Sequence, residues 1–150
     1  ESKKIGTFGH GFTYTAHPVG CAVALKTIEI YQRDRIVEHV RKVAPVFKAR
    51  LDKLAEHPLV GEARGVGLIG ALELVADKKT RRAFDPKKMV GATCVNFLQA
   101  LGLINRAMGD SVAFCPPLII TEQEINEMFD MVGAALDQTE AWVRKENLRQ

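Results

Sequence analysis

The chain has 150 residues, 47% of them hydrophobic and 26% charged, a composition that supports one modest soluble core. Its 21 basic and 18 acidic residues leave a formal charge of +3 and are spread along the sequence, so no basic stripe for nucleic acid forms. No apolar run is long enough to span a membrane, and the three distant cysteines Cys21, Cys94 and Cys115 have neither disulfide nor zinc spacing, which predicts small buried hydrophobes in a reducing, cytoplasmic protein.

The chain opens at Glu1-Ser-Lys-Lys without an initiator methionine or a charged-then-apolar leader, and it enters a Gly/His/Thr-rich loop within ten residues. Its last seven residues fade into polar side chains. The two ends together read as the C-terminal piece of something longer. Pro18 suits the first turn of a helix, where its missing N–H costs nothing, and the small-residue run after it predicts a closely packed helix to about Tyr31. From Asp34 a second helix is expected, because Ile36, Val40, Val43, Phe47, Leu51 and Leu54 form one apolar stripe. Pro45 predicts a kink in it, and Pro58 its end.

Between Leu59 and Val75 the period changes to that of two short strands or one bent one. Asp85-Pro86 is expected to start a helix, as a cap followed by proline, with Val90, Cys94, Phe97 and Leu101 along one side. Gly102 predicts its stop. Leu103 to Met108 and Ser111 to Phe114 read as a hairpin around Gly109-Asp110, a residue order that leaves the turn type open. Thr121-Glu-Gln-Glu124 fits a capping box ahead of a helix with Ile125, Met128, Val132 and Leu136 inward. The expected class is therefore α+β: a small antiparallel sheet covered by helices, with a long helical lead-in.

Four features invite a chemical reading. Gly65-Val-Gly-Leu-Ile-Gly70 matches the dinucleotide pattern, but that site needs a strand before it and a helix after it. Here the order is reversed, and a strand with glycines at close backbone contacts is expected instead. His39 and His57 read as solvated surface; His10 and His17 flank the glycine-rich loop, and no histidine pair has metal-ligand spacing. Gly9-His-Gly-Phe-Thr-Tyr-Thr15 combines exposed amides, hydroxyls and a following helix N-terminus, a chemistry suited to phosphate as well as to plain capping. Arg106, in a strand beside a turn, either reaches solvent or grips a carboxylate.

Taken in order, Gly11-Phe-Thr-Tyr-Thr-Ala-His-Pro18, Val19-Gly-Cys-Ala-Val-Ala-Leu25, His57-Pro-Leu-Val-Gly-Glu-Ala-Arg-Gly65, Gly67-Leu-Ile69, Glu73, Gly102-Leu-Ile-Asn-Arg106, Gly109-Asp110 and Pro116-Pro-Leu-Ile-Ile-Thr121 resemble the class III aminotransferases. The resemblance covers nearly the whole chain. It implies an aspartate-aminotransferase-like homodimer that uses pyridoxal 5′-phosphate. Residues 1–32 would close the large cofactor-binding domain and start the linking helix, and residues 33–150 would form the C-terminal small domain.

In that family the threonine of Gly-Phe-Thr-Tyr reaches the cofactor phosphate of the neighbouring subunit. By that match Thr13 is the phosphate ligand, with Phe12 shaping the neighbour's pocket. In the ω-transaminase branch the arginine just before the Gly-Asp turn holds the substrate carboxylate, which is Arg106 here. Ornithine-type relatives place an arginine two or three residues before Pro-Pro, where this chain has Ala113-Phe-Cys115. That points to amine- or β-alanine:pyruvate transaminases, with the diaminopelargonate branch left open.

The family's Schiff-base lysine lies upstream of the Gly-Phe-Thr-Tyr loop, where this chain has only Lys3 and Lys4. No catalytic residue is therefore assigned, and the chain alone is expected to be inactive. The implied function is transfer of an amino group from an amine or ω-amino acid to a keto acid such as pyruvate. Aminomutases and decarboxylases share the scaffold, and a non-catalytic dimerisation module is the remaining alternative.

Overall fold

The computed structural model describes residues 2–6, 9 and 11–149, which fall into two compact units divided after Ile36. The first unit holds a short helix α1 (Ser2–Ile5) and helix α2 (Pro18–Arg33). His17 precedes α2 without a side-chain cap bond, and Pro18 is its first residue, the position where proline costs no backbone bond. None of its residues is buried; Val19, Val23, Leu25 and Ile28 are all exposed. His10 lies outside the described residues.

The second unit is built on a four-stranded, wholly antiparallel sheet of β1 (Val60–Val66), β2 (Ile69–Leu74), β3 (Arg106–Met108) and β4 (Ser111–Phe114), in the order β1-β2-β4-β3. Helices α3 (Ile36–Leu54), α4 (Val90–Ala100) and α5 (Glu122–Lys145), with loop residues such as Leu59, Leu68, Phe84 and Ile120, supply the rest of the core. This is the α+β architecture expected of the sequence. Val43, Phe47 and Leu51 on α3 meet Leu72, Val112 and Phe114 of the sheet and Ile125, Phe129, Val132 and Leu136 of α5 in one buried cluster. Phe129 joins two layers, with ring centroids 5.0 Å from Phe47 and 5.6 Å from Phe114. Such aromatic pairs contribute about 0.5–1.5 kcal/mol beyond their buried area.

The Gly65–Gly70 motif turns out to be a packing device. Gly65 and Gly70 face each other across β1 and β2, and a Cβ on either would lie 3.0 or 2.9 Å from Leu51 Cδ2. Side chains there would hold α3 off the hairpin. Gly67, with φ +59°, sits in the two-residue turn between Val66 and Ile69.

Three expectations need correcting. Asp85 does cap, accepting from the Lys87 amide at 3.0 Å, but only a three-residue 3-10 turn, Pro86–Lys88. Met89 then adopts a left-handed conformation and α4 starts afresh at Val90; its inner face includes Leu98, while Leu101 is exposed. Of the cysteines only Cys94 is buried: Cys21 rides on α2, which buries nothing, and Cys115 follows the last residue of β4. Neither His39 nor His57 is a plain surface residue. A ring nitrogen of His39 lies 2.8 Å from the Ile120 carbonyl. His57 is largely buried and its Nδ1 accepts from the Leu59 amide at 3.2 Å. Periodicity along one helix cannot show that a distant loop folds over its polar face.

Candidate functional site

Phe12 and Thr13 share a tight turn ahead of α2. The Thr15 amide donates to the Phe12 carbonyl at 2.9 Å, and the Phe12 amide donates to Thr15 Oγ1 at 2.6 Å. A second turn follows, from the His17 amide to the Tyr14 carbonyl at 3.1 Å, with Ala16 at φ +58°. The sequence offered both threonines as phosphate donors, and the folded loop separates them. Thr15 spends its hydroxyl on the turn, whereas Thr13 is exposed and its hydroxyl makes no hydrogen bond among the described residues. An exposed, uncommitted hydroxyl on a turn suits a phosphate oxygen supplied by another molecule.

Arg106 belongs to the second unit, as the first residue of edge strand β3. Its Cα is registered with Ala113, Ala113 with Ala71, and Ala71 with Arg64. The two arginines therefore stand in one row on one face of the sheet, because directly paired residues share a face. Their electrostatics differ. Arg64 lies 3.2 Å from Glu73 and 3.7 Å from Glu62, and Glu73 also accepts from the Ser111 hydroxyl. Arg106 is in no ion pair with a described residue. Its main-chain amide donates to Asn105 Oδ1 at 2.6 Å.

Arg106 is also the sole basic group lining a groove of about 1010 Å³ among the described residues. The walls are mainly apolar: Leu103, Ile104, Phe114, Pro117, Met128 and Met131 take part, with Glu124 and Glu127 on the α5 side. A cation next to apolar walls binds a carboxylate more strongly than one facing open water, since the effective dielectric is lower.

The expected hairpin turn beside Arg106 is held by a residue that the sequence did not single out, Gly91. Met108 pairs with Ser111, so Gly109 and Asp110 form a two-residue turn. Gly109 has φ +61° and Asp110 does not, the pattern of a type II′ hairpin. Asp110 Oδ1 accepts from the Gly91 amide at 2.8 Å, in the first turn of α4. Its carbonyl accepts from the Leu74 amide at 2.9 Å. Burial raises the Asp110 carboxyl above its ordinary pKa, partly offset by the Gly91 amide and assisted by Glu73. In the sequence Gly91 looked like any helical glycine, and nothing local linked it to a turn 19 positions away.

Every lysine in the chain is exposed. Lys26 and Lys48 are paired with Glu29 and Asp52, and Lys78 donates to the Ala55 and His57 carbonyls. None is desolvated in the way a nucleophilic lysine must be. Among the described residues no helix is long and apolar enough to cross a membrane.

The family model for aminotransferase class III matches residues 2–136. The putrescine–pyruvate aminotransferase of Pseudomonas aeruginosa is 49% identical over 139 residues, which are 92% of this chain and 30% of that protein. The mitochondrial γ-aminobutyrate transaminase 1 of Solanum lycopersicum is 40% identical over 145 residues, 97% of this chain and 28% of its own length. Among solved structures, the omega-transferase of Vibrio fluvialis superimposes with a TM-score of 0.84 at 45% identity, over 96% of this chain and 34% of that one. An omega-aminotransferase from Paracoccus denitrificans gives 0.82 at 44% identity, over 95% and 32%. The chain thus spans about a third of the length of the proteins it matches.

Proposed function

This chain belongs to the class III aminotransferases, and from that premise we propose that it is the C-terminal part of a transaminase. The enzyme moves an amino group from an amine or ω-amino acid to a keto acid. Pyruvate, the acceptor in the name of the Pseudomonas relative, is the proposed acceptor here. Residues 1–32 end the large domain and residues 33–150 form the small one. The working enzyme is a cytoplasmic homodimer.

The observation that carries this reading is Arg106, a guanidinium in no ion pair among the described residues and at the edge of an apolar groove, in the same row as an arginine already neutralised by carboxylates. Its planar fork holds the carboxylate of the keto acid in two parallel bonds and so orients the carbonyl. Pyridoxal 5′-phosphate, when bound, supplies the electron sink for amino-group transfer. Thr13 fits that cofactor, because its free hydroxyl stands on an exposed turn where it donates to a phosphate of the neighbouring subunit. Phe12, exposed on the same turn, walls that neighbour's pocket. The reactive lysine comes from outside these 150 residues, a reading supported by the exposure of every lysine they contain.

The test is the intact mass of the natural gene product before and after borohydride reduction. A much heavier chain that gains a pyridoxyl adduct supports the reading. A chain of this size that gains nothing overturns it and leaves a non-catalytic dimerisation module.

A further inference from the structure

Residues 103–110 leave one end of α4 and return to the other, with Arg106 near the middle. At the C-terminal end Gly102 has φ +94°. Its amide donates to the Gln99 carbonyl at 3.0 Å, and the Leu103 amide donates to Leu98 at 2.9 Å, a Schellman closure that fixes how the chain departs. At the N-terminal end the Gly91 amide donates to Asp110 Oδ1 at 2.8 Å. That contact is possible only because residue 91 has no side chain: a Cβ there would lie 2.2 Å from the Gly109 carbonyl oxygen and 2.8 Å from Asp110 Cα. The eleven residues of α4 make a rigid chord of about 16 Å, and the Arg106 segment is strung between its ends.

The latch matters because β3 is otherwise weakly held. It has three residues, lies at the sheet edge and bonds to β4 on one side only. Short edge strands fray readily. Asp110 ties the far end of that hairpin to two further elements at once, α4 through its carboxylate and β2 through its carbonyl. Among the described residues the carboxylate is also the one side chain that satisfies a first-turn amide of α4, since the residue preceding the helix, Met89, makes no side-chain cap bond.

We propose that Asp110 is a positioning residue for Arg106: through its bond to Gly91 it fixes the β3–β4 turn against α4 and thereby sets where the guanidinium meets the substrate carboxylate. This rests on the reading of Arg106 as the carboxylate clamp. Asp110 itself touches no substrate. Its effect is confined to substrates that carry a carboxylate, which separates it from a residue that merely holds the domain together.

The experiment uses the complete holoenzyme and two amino acceptors, pyruvate and a carboxylate-free aromatic aldehyde. Arg106→Ala, Asp110→Ala and Asp110→Asn are compared for KM and kcat with each. Asp110→Ala is expected to raise KM for pyruvate about tenfold, the order of loss that a displacement of about 1 Å or less brings, and to change either constant for the aldehyde less than about twofold. Asp110→Asn keeps an oxygen for the Gly91 amide and is expected to restore the pyruvate KM. Should the alanine variant not accumulate as holoenzyme, Asp110→Glu, whose longer arm misplaces the oxygen, takes its place with the same expectation. Equal effects on both acceptors, or an asparagine variant as impaired as alanine, overturn the positioning role while Arg106→Ala still discriminates. If Arg106→Ala fails to discriminate, the clamp reading falls and this proposal with it.

Discussion

Gly91 and Gly109, 18 positions apart, pack so closely that a methyl group on the first would lie 2.2 Å from the carbonyl oxygen of the second. Both partners are backbone, so neither moves aside as a side chain would. Gly91→Ala is expected to destabilise the protein by about 1–3 kcal/mol, the usual cost of overpacking a filled site. Gly133, inside α5, offers the opposite case: its Cβ would meet only Leu54 Cδ2, at an ordinary 3.9 Å. Gly133→Ala is expected to stabilise by about 0.5–1 kcal/mol, because alanine loses less freedom in a helix. Urea unfolding of the two variants should show midpoints displaced in opposite directions, and a gain for Gly91→Ala would contradict the close approach.

His57 is held below its ordinary pKa of 6.5, mainly by burial, with Asp137 opposing the shift. Its Nδ1 accepts from the Leu59 amide, which the protonated ring cannot do. For a base whose folded pKa is depressed, the unfolded chain takes the proton first. The stability is therefore present above pH 6.5 and is lost as the pH falls through that value towards the folded one. His57→Asn keeps an acceptor two residues before Leu59 without titrating. The stability difference between pH 8 and pH 5 should be smaller in that variant, and an undiminished difference would clear His57 of the effect.

Asp110 has the opposite sign. Its folded pKa is raised above 3.8 by burial and by Glu73, so the ionised form costs stability above that value and the cost vanishes as the group is protonated. Asp110→Asn is expected to be as stable as the parent or more stable at pH 7, and to lose that advantage near pH 3. Thermal melts at the two pH values measure it. A variant less stable at pH 7 than at pH 3, relative to the parent, would contradict the raised pKa.

Thr13→Ala and Thr15→Ala separate two neighbouring hydroxyls. The Thr13 hydroxyl makes no hydrogen bond among the described residues, whereas Thr15 accepts from the Phe12 amide. In the complete enzyme Thr13→Ala is expected to weaken cofactor retention by about tenfold, as loss of a hydrogen bond to a charged phosphate does, with little change in apoenzyme stability. Thr15→Ala is expected to loosen the turn and lower stability instead. Dialysis against buffer followed by absorbance of the retained cofactor distinguishes them, and equal retention in both variants would refute the assignment to Thr13.

Much of this protein is written locally. The apolar stripe of α3, the Thr121 capping box with its reciprocal bond from Glu124, the Gly102 stop and the antiparallel hairpins follow from period, cap and turn chemistry, because each depends on residues within a few positions of one another. The candidate residues Thr13 and Arg106 were legible as residues too, as an ordered series of motifs. Their condition was not. That Thr15 is spent and Thr13 free, that Arg64 is neutralised and Arg106 is not, and that His57 is buried beneath α5's Asp137 are decided by pairings across the fold. The same holds for the bond from Gly91 to Asp110, for Asp85 capping a 3-10 turn in place of α4, and for the exposure of Cys21 and Cys115. A sequence fixes which groups a chain carries and how they repeat; only tertiary packing decides which of them meet, because desolvation and partnering depend on distance in space rather than along the chain.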